Sequence, residues 1–296
     1  MKNKIFSVII TVLLATSCSK INPSHNNDSS LILKGKSFNI VPTKANIPLS
    51  NGLSLGAFVV NVTTGSPETL SSAIIENKLL TVDAGGNITG DVIYLNAGKD
   101  YDVYAYSPRI TGAPLNPNAI PYTHGTDVLY SDVNRTLRGV SIGINTVDMI
   151  FIHKMSQIKF SLTDDRDPVT KNAYPFSDAT FEVTGFVKDF TLNLETGEIT
   201  RQPVDGTVKI TEQNTPVCFA PSTSAMTLPI KVTIPGAISG EQTFTGSVTA
   251  TFTSGNSYSY NIKISTTSLE ITGSVTDWVT VPTDDVIVTQ SIRSRN

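Results

Sequence analysis

The sequence predicts an all-β protein made of two antiparallel β-sandwich domains in tandem, placed behind an export signal and a flexible tether. Three observations predict it. Apolar and β-branched clusters of about four to eight residues alternate with period two. Turn residues such as Asn51-Gly52 and Ala84-Gly85-Gly86 separate them, as in sandwich folds. Helical periodicity is scarce. The chain has 296 residues, 39% of them hydrophobic and 16% charged, with a formal net charge of −3. That length suits one large or two ordinary domains, and neither charge sign dominates. No basic patch invites nucleic acid.

Met1–Cys18 begins with Lys2 and Lys4, continues as an apolar run from Ile5 to Ala15, and ends in Thr16 and Ser17 before Cys18. A basic start, an apolar stretch of about 7–15 residues and small residues at its end define a secretory signal. A membrane-spanning helix would need about 20 apolar residues. Ala15-Thr16-Ser17-Cys18 resembles the lipobox of bacterial lipoproteins, in which the thiol is acylated and the chain is cut just before it. Residues 1–17 are then the lipoprotein signal peptide, and lipidated Cys18 attaches the mature chain to the outer membrane. The alternative is an ordinary secretory signal with an incidental cysteine.

Residues 18–36 are polar and rich in turn formers, the composition of a flexible tether, and His25 within them is expected to be solvated. The first sandwich is expected over 37–165, with strands at Phe38–Val41, Leu55–Val62, Leu79–Val82, Val92–Leu95, Tyr101–Ser107, Val140–Ile144, Ile150–Ile152 and Gln157–Leu162. In the last of these Ile158, Phe160 and Leu162 alternate with Gln157, Lys159 and Ser161, which assigns a buried and an open face. A helix with weak caps is expected at Glu68–Lys78.

The turn Asp164-Asp165-Arg166-Asp167-Pro168 is read as the domain boundary, and 166–296 as the second sandwich. Its expected strands are Thr180–Val183, Phe190–Asn193, Val208–Ile210, Val217–Phe219, Ile230–Ile234, Thr243–Phe252, Tyr258–Ile264, Leu269–Val275 and Val279–Val281. Many threonines, including Thr207, Thr233, Thr245 and Thr249, suit pleated surfaces.

Catalytic signals are scarce. With Cys18 lipidated, Cys218 stands alone and no intramolecular disulfide can form; its apolar run Pro216–Ala220 places it in the core. His153 ends an apolar strand and reads as a hydrogen-bonded structural residue, while His124 sits in a loop. No zinc spacing, phosphate loop, nucleophile elbow or dinucleotide fingerprint occurs. Asp164, Asp165 and Asp167 lack the glycine and glutamate of a calcium loop, so a solvated turn is expected. No carboxylate pair is nominated for glycoside hydrolysis. No enzyme activity and no cofactor are expected.

The order of local motifs resembles the fimbrillin family, the subunits of type V pili of Bacteroidota. Ser37–Ala45 resembles the family's first strand and its Thr-Arg-Ala segment, and Leu53–Val59 its glycine-then-aromatic strand. Tyr101–Pro108 resembles the aromatic strand ending in Tyr-x-Pro, Asp127–Tyr130 the Asp-Leu-Leu-Tyr stretch, and Phe151–Ile158 the His-x-Leu-Ser-x-Val strand that closes the first domain. Val217–Pro221 and Val275–Trp278 stand where the apolar-Pro strand and the late tryptophan are expected.

The resemblance implies transthyretin-like sandwiches and a structural or adhesive pilus subunit located in the fimbrium. It also implies that a trypsin-like surface protease removes the N-terminal segment, opening a groove that a strand from another fimbrial subunit fills. The matching residue for the cut is Lys44, where the family more often has arginine, and the strand removed is Phe38–Val41. The alternative is a surface-loop lysine in a chain never cut. Within Asp285–Asn296, Val286–Ile292 is expected to close its own domain's sheet; the alternative is a donor strand with Val286, Val288 and Ile292 on one face. The short tail after Trp278 favours an accessory or tip subunit over a stalk. Partners are other fimbrial subunits, the processing protease, the outer membrane, and host or bacterial surface ligands. The alternative function is a surface glycan-binding lipoprotein with a platform from Tyr94, Tyr101, Tyr104 and Tyr106, beside a single tryptophan, Trp278.

Overall fold

The structure is a computed structural model and describes residues 28–38, 49–63, 66–67, 69–112, 115–131, 136–203, 205–238, 240–265, 268–277 and 291–293. The strands of the first half are β1 (Asp28–Phe38), β2 (Ser54–Thr63), β3 (Ser66–Pro67), β4 (Ile75–Val82), β5 (Ile88–Thr89), β6 (Ile93–Asn96), β7 (Asp100–Ser107), β8 (Ile120–Thr123), β9 (Leu129–Ser131), β10 (Thr136–Leu137) and β11 (Gly143–His153). There follow β12 (Ser156–Asp164), a short helix α1 (Pro168–Ala173), β13 (Thr180–Val187), β14 (Asp189–Leu192), β15 (Ile199–Arg201), β16 (Asp205–Ile210) and β17 (Val217–Phe219). The last are β18 (Met226–Pro235), β19 (Glu241–Ala250), β20 (Asn256–Ile264), β21 (Ser268–Asp277) and β22 (Ser291–Arg293).

The first sheet runs β5-β4-β2-β7-β9-β11-β1-β6, with β10 beside β7 and β3 beside β2. It curls, so that Leu80 and Val82 near one end share a core with Leu31, Leu33, Ile93 and Leu95 near the other. The second half is a sandwich of β17-β12-β20-β21-β22 on β16-β13-β18-β19. Their inner faces meet in one core that includes Phe160, Phe181, Ile230, Val248, Tyr260 and Ile271. Alternation explains both layers: β18 buries Leu228, Ile230, Val232 and Ile234 and turns the residues between them outward. Fully burying such a side chain stabilises by about 1.5–3 kcal/mol. A small sheet β15-β14-β8 joins the halves, over a third core that holds Tyr106, Tyr122, Phe190 and Cys218.

Pairing is mostly antiparallel, with two parallel ladders in matching places. β1 runs parallel to β11, and β12, the first strand of the second half, runs parallel to β20. In both halves the leading strand is thus inserted beside a late one.

Four expectations change. The first strand begins at Asp28, so 28–36 belong to β1 and not to a flexible tether, because Leu31 and Leu33 find a core to fill. Glu68–Lys78 is not a helix: a single turn at Leu70–Ser72 precedes β4. Val140–Ile144 is not a separate strand, since β11 starts at Gly143 and runs unbroken to His153. Gln157–Leu162 belongs to the second sandwich, where β12 pairs with β17 and β20. The chain therefore crosses between sheets at Lys154-Met155, before the acidic turn. Val279–Val281 lies outside the described residues.

A strand slot as the candidate functional site

Every ladder partner of β1 is distant in sequence. Ser29 to Phe38 run level with Gly143 to Ile152 of β11, and Asp28 to Leu31 run level with Asn96 to Ile93 of β6. Side chains alternate between the faces of a strand, so Leu31 and Leu33 point inward with Ile93, Leu95, Val147, Met149 and Phe151, all of them buried. The place taken by β1 is a slot: two rows of backbone donors and acceptors, from β6 and β11, above an apolar floor. Any extended segment with apolar residues at alternate positions satisfies both rows and floor.

β1 fills this slot imperfectly. Ser29 is fully buried, and its hydroxyl has no hydrogen-bond partner among the described residues. Such a group costs about 1–3 kcal/mol. Gly35, level with Met149, brings no side chain to the floor. Leu31 and Leu33 are the apolar side chains of β1 described in this core.

One wall of the slot depends on its occupant. β6 is the terminal strand of the sheet order and, among the described residues, pairs only with β1. Its far end is tied down separately: Asn96 N–H donates to Tyr101 Oη at 3.0 Å, and Gly98 N–H to the Val140 carbonyl at 2.7 Å. β11, by contrast, is also paired with β9.

The residues expected to act on this site are not among those described. Cys18, Lys44, Trp278 and residues 279–290 lie outside them, as does His25. At the other end of the chain, Ser291, Ile292 and Arg293 stand level with Glu270, Leu269 and Ser268, so the last described strand is paired within its own second half.

Elsewhere, among the described residues, the titratable side chains singled out in the sequence have structural partners. His153 Nδ1 lies 3.0 Å from Asp127 Oδ1, and the ring edge of His124 packs on Phe186. Burial pushes the Cys218 thiol up to about 12, which keeps it protonated and unreactive. The acidic turn is not merely solvated: the buried Arg166 binds both oxygens of Asp164 at 2.8 Å, Lys263 pairs with Asp165 at 3.0 Å, and Asp167 caps α1 by accepting from Thr170 N–H. Among the described residues no cluster of histidine, cysteine, aspartate or glutamate is arranged to hold a metal. Of the four tyrosines proposed as a sugar platform, Tyr101, Tyr104 and Tyr106 are buried, and Tyr94 alone is open.

The N-terminal strand is the element that sequence reasoning misplaced. Its signal was the short apolar run Leu31-Ile32-Leu33 inside an otherwise polar stretch.

No curated protein matches the chain. Among solved structures, a candidate cell adhesion protein from Bacteroides ovatus is 16% identical, covers 85% of this chain and 98% of its own, and has a TM-score of 0.62. Another from Bacteroides uniformis is 17% identical over 84% of this chain and 98% of its own, with a TM-score of 0.59. Identities this low show a shared fold and nothing finer. The family model described as fimbrillin-like matches residues 43–278, both halves of the molecule. By that match, which spans most of the sequence, the chain belongs to the fimbrillin-like family.

Proposed function

We propose that the protein is a fimbrial subunit in which β1 is a removable strand. Membership of a fimbrial family implies a cell-surface fimbrium and assembly with other fimbrial subunits. In our reading Cys18 carries lipid and holds the new subunit at the outer membrane. Each buried methylene of an acyl chain adds about 0.8 kcal/mol, and two or more chains make the attachment durable. A protease then cuts after Lys44, and a strand from another subunit replaces β1. Because a stalk subunit gives one strand and accepts a different one, contacts along the fibre are heterologous and open-ended.

The observation that carries this reading is the position of β1. It precedes Lys44 in the chain, and among the described residues its ladder partners are β6 and β11. A cut at Lys44 severs its only covalent link to the domain, and every other strand stays connected. The family match, which starts at residue 43, sits well with a functional domain that begins there. Because β22 pairs within its own sheet, we favour an accessory or tip role over a stalk role. Since arginine is absent at the cut, the protease must accept lysine.

Sequencing the N terminus of the protein taken from assembled fibres tests this. A start at Ala45 is expected, and a start at Cys18 would overturn the reading. Cys18→Ala should move the precursor out of the detergent phase.

A further inference from the structure

An apolar stripe lies on the solvent face of the slot. Ser30 of β1 stands level with Tyr94 of β6 on one side and with Ile144 of β11 on the other, so these two flank one point of β1, two strand spacings or about 10 Å apart. Tyr94 is 64% exposed and Ile144 72%. Val92 and Ile142, each two residues away, are 49% and 66% exposed. Half of the large apolar side chains that are exposed among the described residues stand here; the others, Ile74, Leu79, Val169 and Ile238, belong to other parts of the chain. Single exposed apolar residues are ordinary, but four of them on or beside the two strands that flank β1 point to a contact surface.

The stripe is also held in place. Gly143 takes a φ of 100°, which turns the chain sharply between Ile142 and Ile144. The Asn145 amide locks that corner: its oxygen accepts from Ser141 N–H at 3.1 Å, and its nitrogen donates to the carbonyls of Ser141 at 2.9 Å and Gly143 at 3.2 Å.

We infer that this stripe is the seat for the body of the fimbrial subunit whose strand occupies the slot. The inference rests on the strand-replacement reading and adds a second contact to it. Any strand in the place of β1 must hydrogen-bond to β6 and β11, the strands that carry Tyr94 and Ile144. The protein that supplies that strand is therefore brought directly alongside the stripe. Three of the four side chains are aliphatic, which suits a partner's apolar surface better than a sugar, for which an aromatic face bordered by polar groups is needed.

Photo-crosslinking in cells that assemble fibres tests the proposal with the full chain. One probe is Tyr94→benzoylphenylalanine on the stripe. The other is photo-methionine at Met149, which replaces the side chain almost isosterically and faces the slot. We expect both probes to capture the same fimbrial subunit, identified by mass spectrometry, and Tyr94→Lys with Ile144→Lys to abolish fibre incorporation while leaving the melting temperature unchanged. If Met149 captures a subunit and Tyr94 captures nothing, a glycan or a different protein, the stripe is not the seat, although strand replacement stands. If Met149 captures only residues 28–38 of its own chain in fibres, strand replacement fails, and the stripe as neighbour of a donated strand fails with it.

Discussion

Leu33 of β1 stands level with Val147 of β11 in a parallel ladder, and both side chains are buried, at 4% and 5% exposure. This pair joins the start of the first sheet to its late strand. Leu33→Ala removes apolar contact from a core that cannot fully collapse, and should cost the intact chain about 2–5 kcal/mol in urea unfolding. Ile238→Ala, at a residue 98% exposed, should stay within about 0.5 kcal/mol of the parent.

Ser29→Ala should act in the opposite direction. The hydroxyl is buried without a partner among the described residues, so deleting it relieves a desolvation cost of about 1–3 kcal/mol while leaving the backbone ladder intact. The expected result is a higher urea midpoint and, in the strand-replacement reading, slower exchange of β1 for a competing strand. An unchanged or lower midpoint would mean that the hydroxyl is satisfied in solution.

Removal of β1 should loosen β6. With its one ladder partner among the described residues gone, β6 loses the pairing that protects its amides from Ile93 to Leu95, while Asn96 N–H keeps its bond to Tyr101 Oη; β2 and β7, paired to each other along seven positions from Gly56 to Val62, should keep theirs. Hydrogen exchange before and after cleavage at Lys44 reads the difference directly. If Ile93 and Leu95 stay protected, the slot is preformed and its wall is held by something other than β1.

These relationships show where the sequence was readable. Strands with strict alternation, such as Ser156–Asp164 and Met226–Pro235, carry their own buried face, and Val217–Phe219 falls where its apolar run predicts. β1 does not carry such a pattern. Asp28, Ser29, Ser30, Lys34, Gly35 and Lys36 make it locally polar, and it is a strand because β6 and β11 offer it a slot, which no local pattern records. The crossing between the halves was hidden for a related reason: Lys154-Met155 has no turn signal, while Asp164–Pro168 has a strong one and serves a turn inside the second half. Cys18 and Lys44 are legible only as local motifs, and both lie outside the described residues.

Arg166 couples the stability of the second half to pH through Asp164. Its guanidinium is wholly buried and is satisfied by both oxygens of Asp164 at 2.8 Å, Gln242 Oε1 at 3.0 Å and the Tyr174 carbonyl at 2.7 Å, with the Phe176 ring 4.3 Å away. The hydrogen bonds from Arg166 hold the Asp164 carboxyl below its ordinary value. A carboxyl held low in the folded state adds stability that is complete above the aspartate range of about 3.9. That contribution shrinks as the pH falls through the depressed value, because the unfolded chain then binds the proton more readily. Asp164→Asn leaves a buried cation without its anion and should cost about 3 kcal/mol or more at neutral pH. The same substitution should flatten the loss of stability between neutral pH and acid, measured by urea unfolding at a series of pH values. Should the variant keep the parent's acid sensitivity, another carboxylate must set it, and Arg166 must be held by its neutral partners.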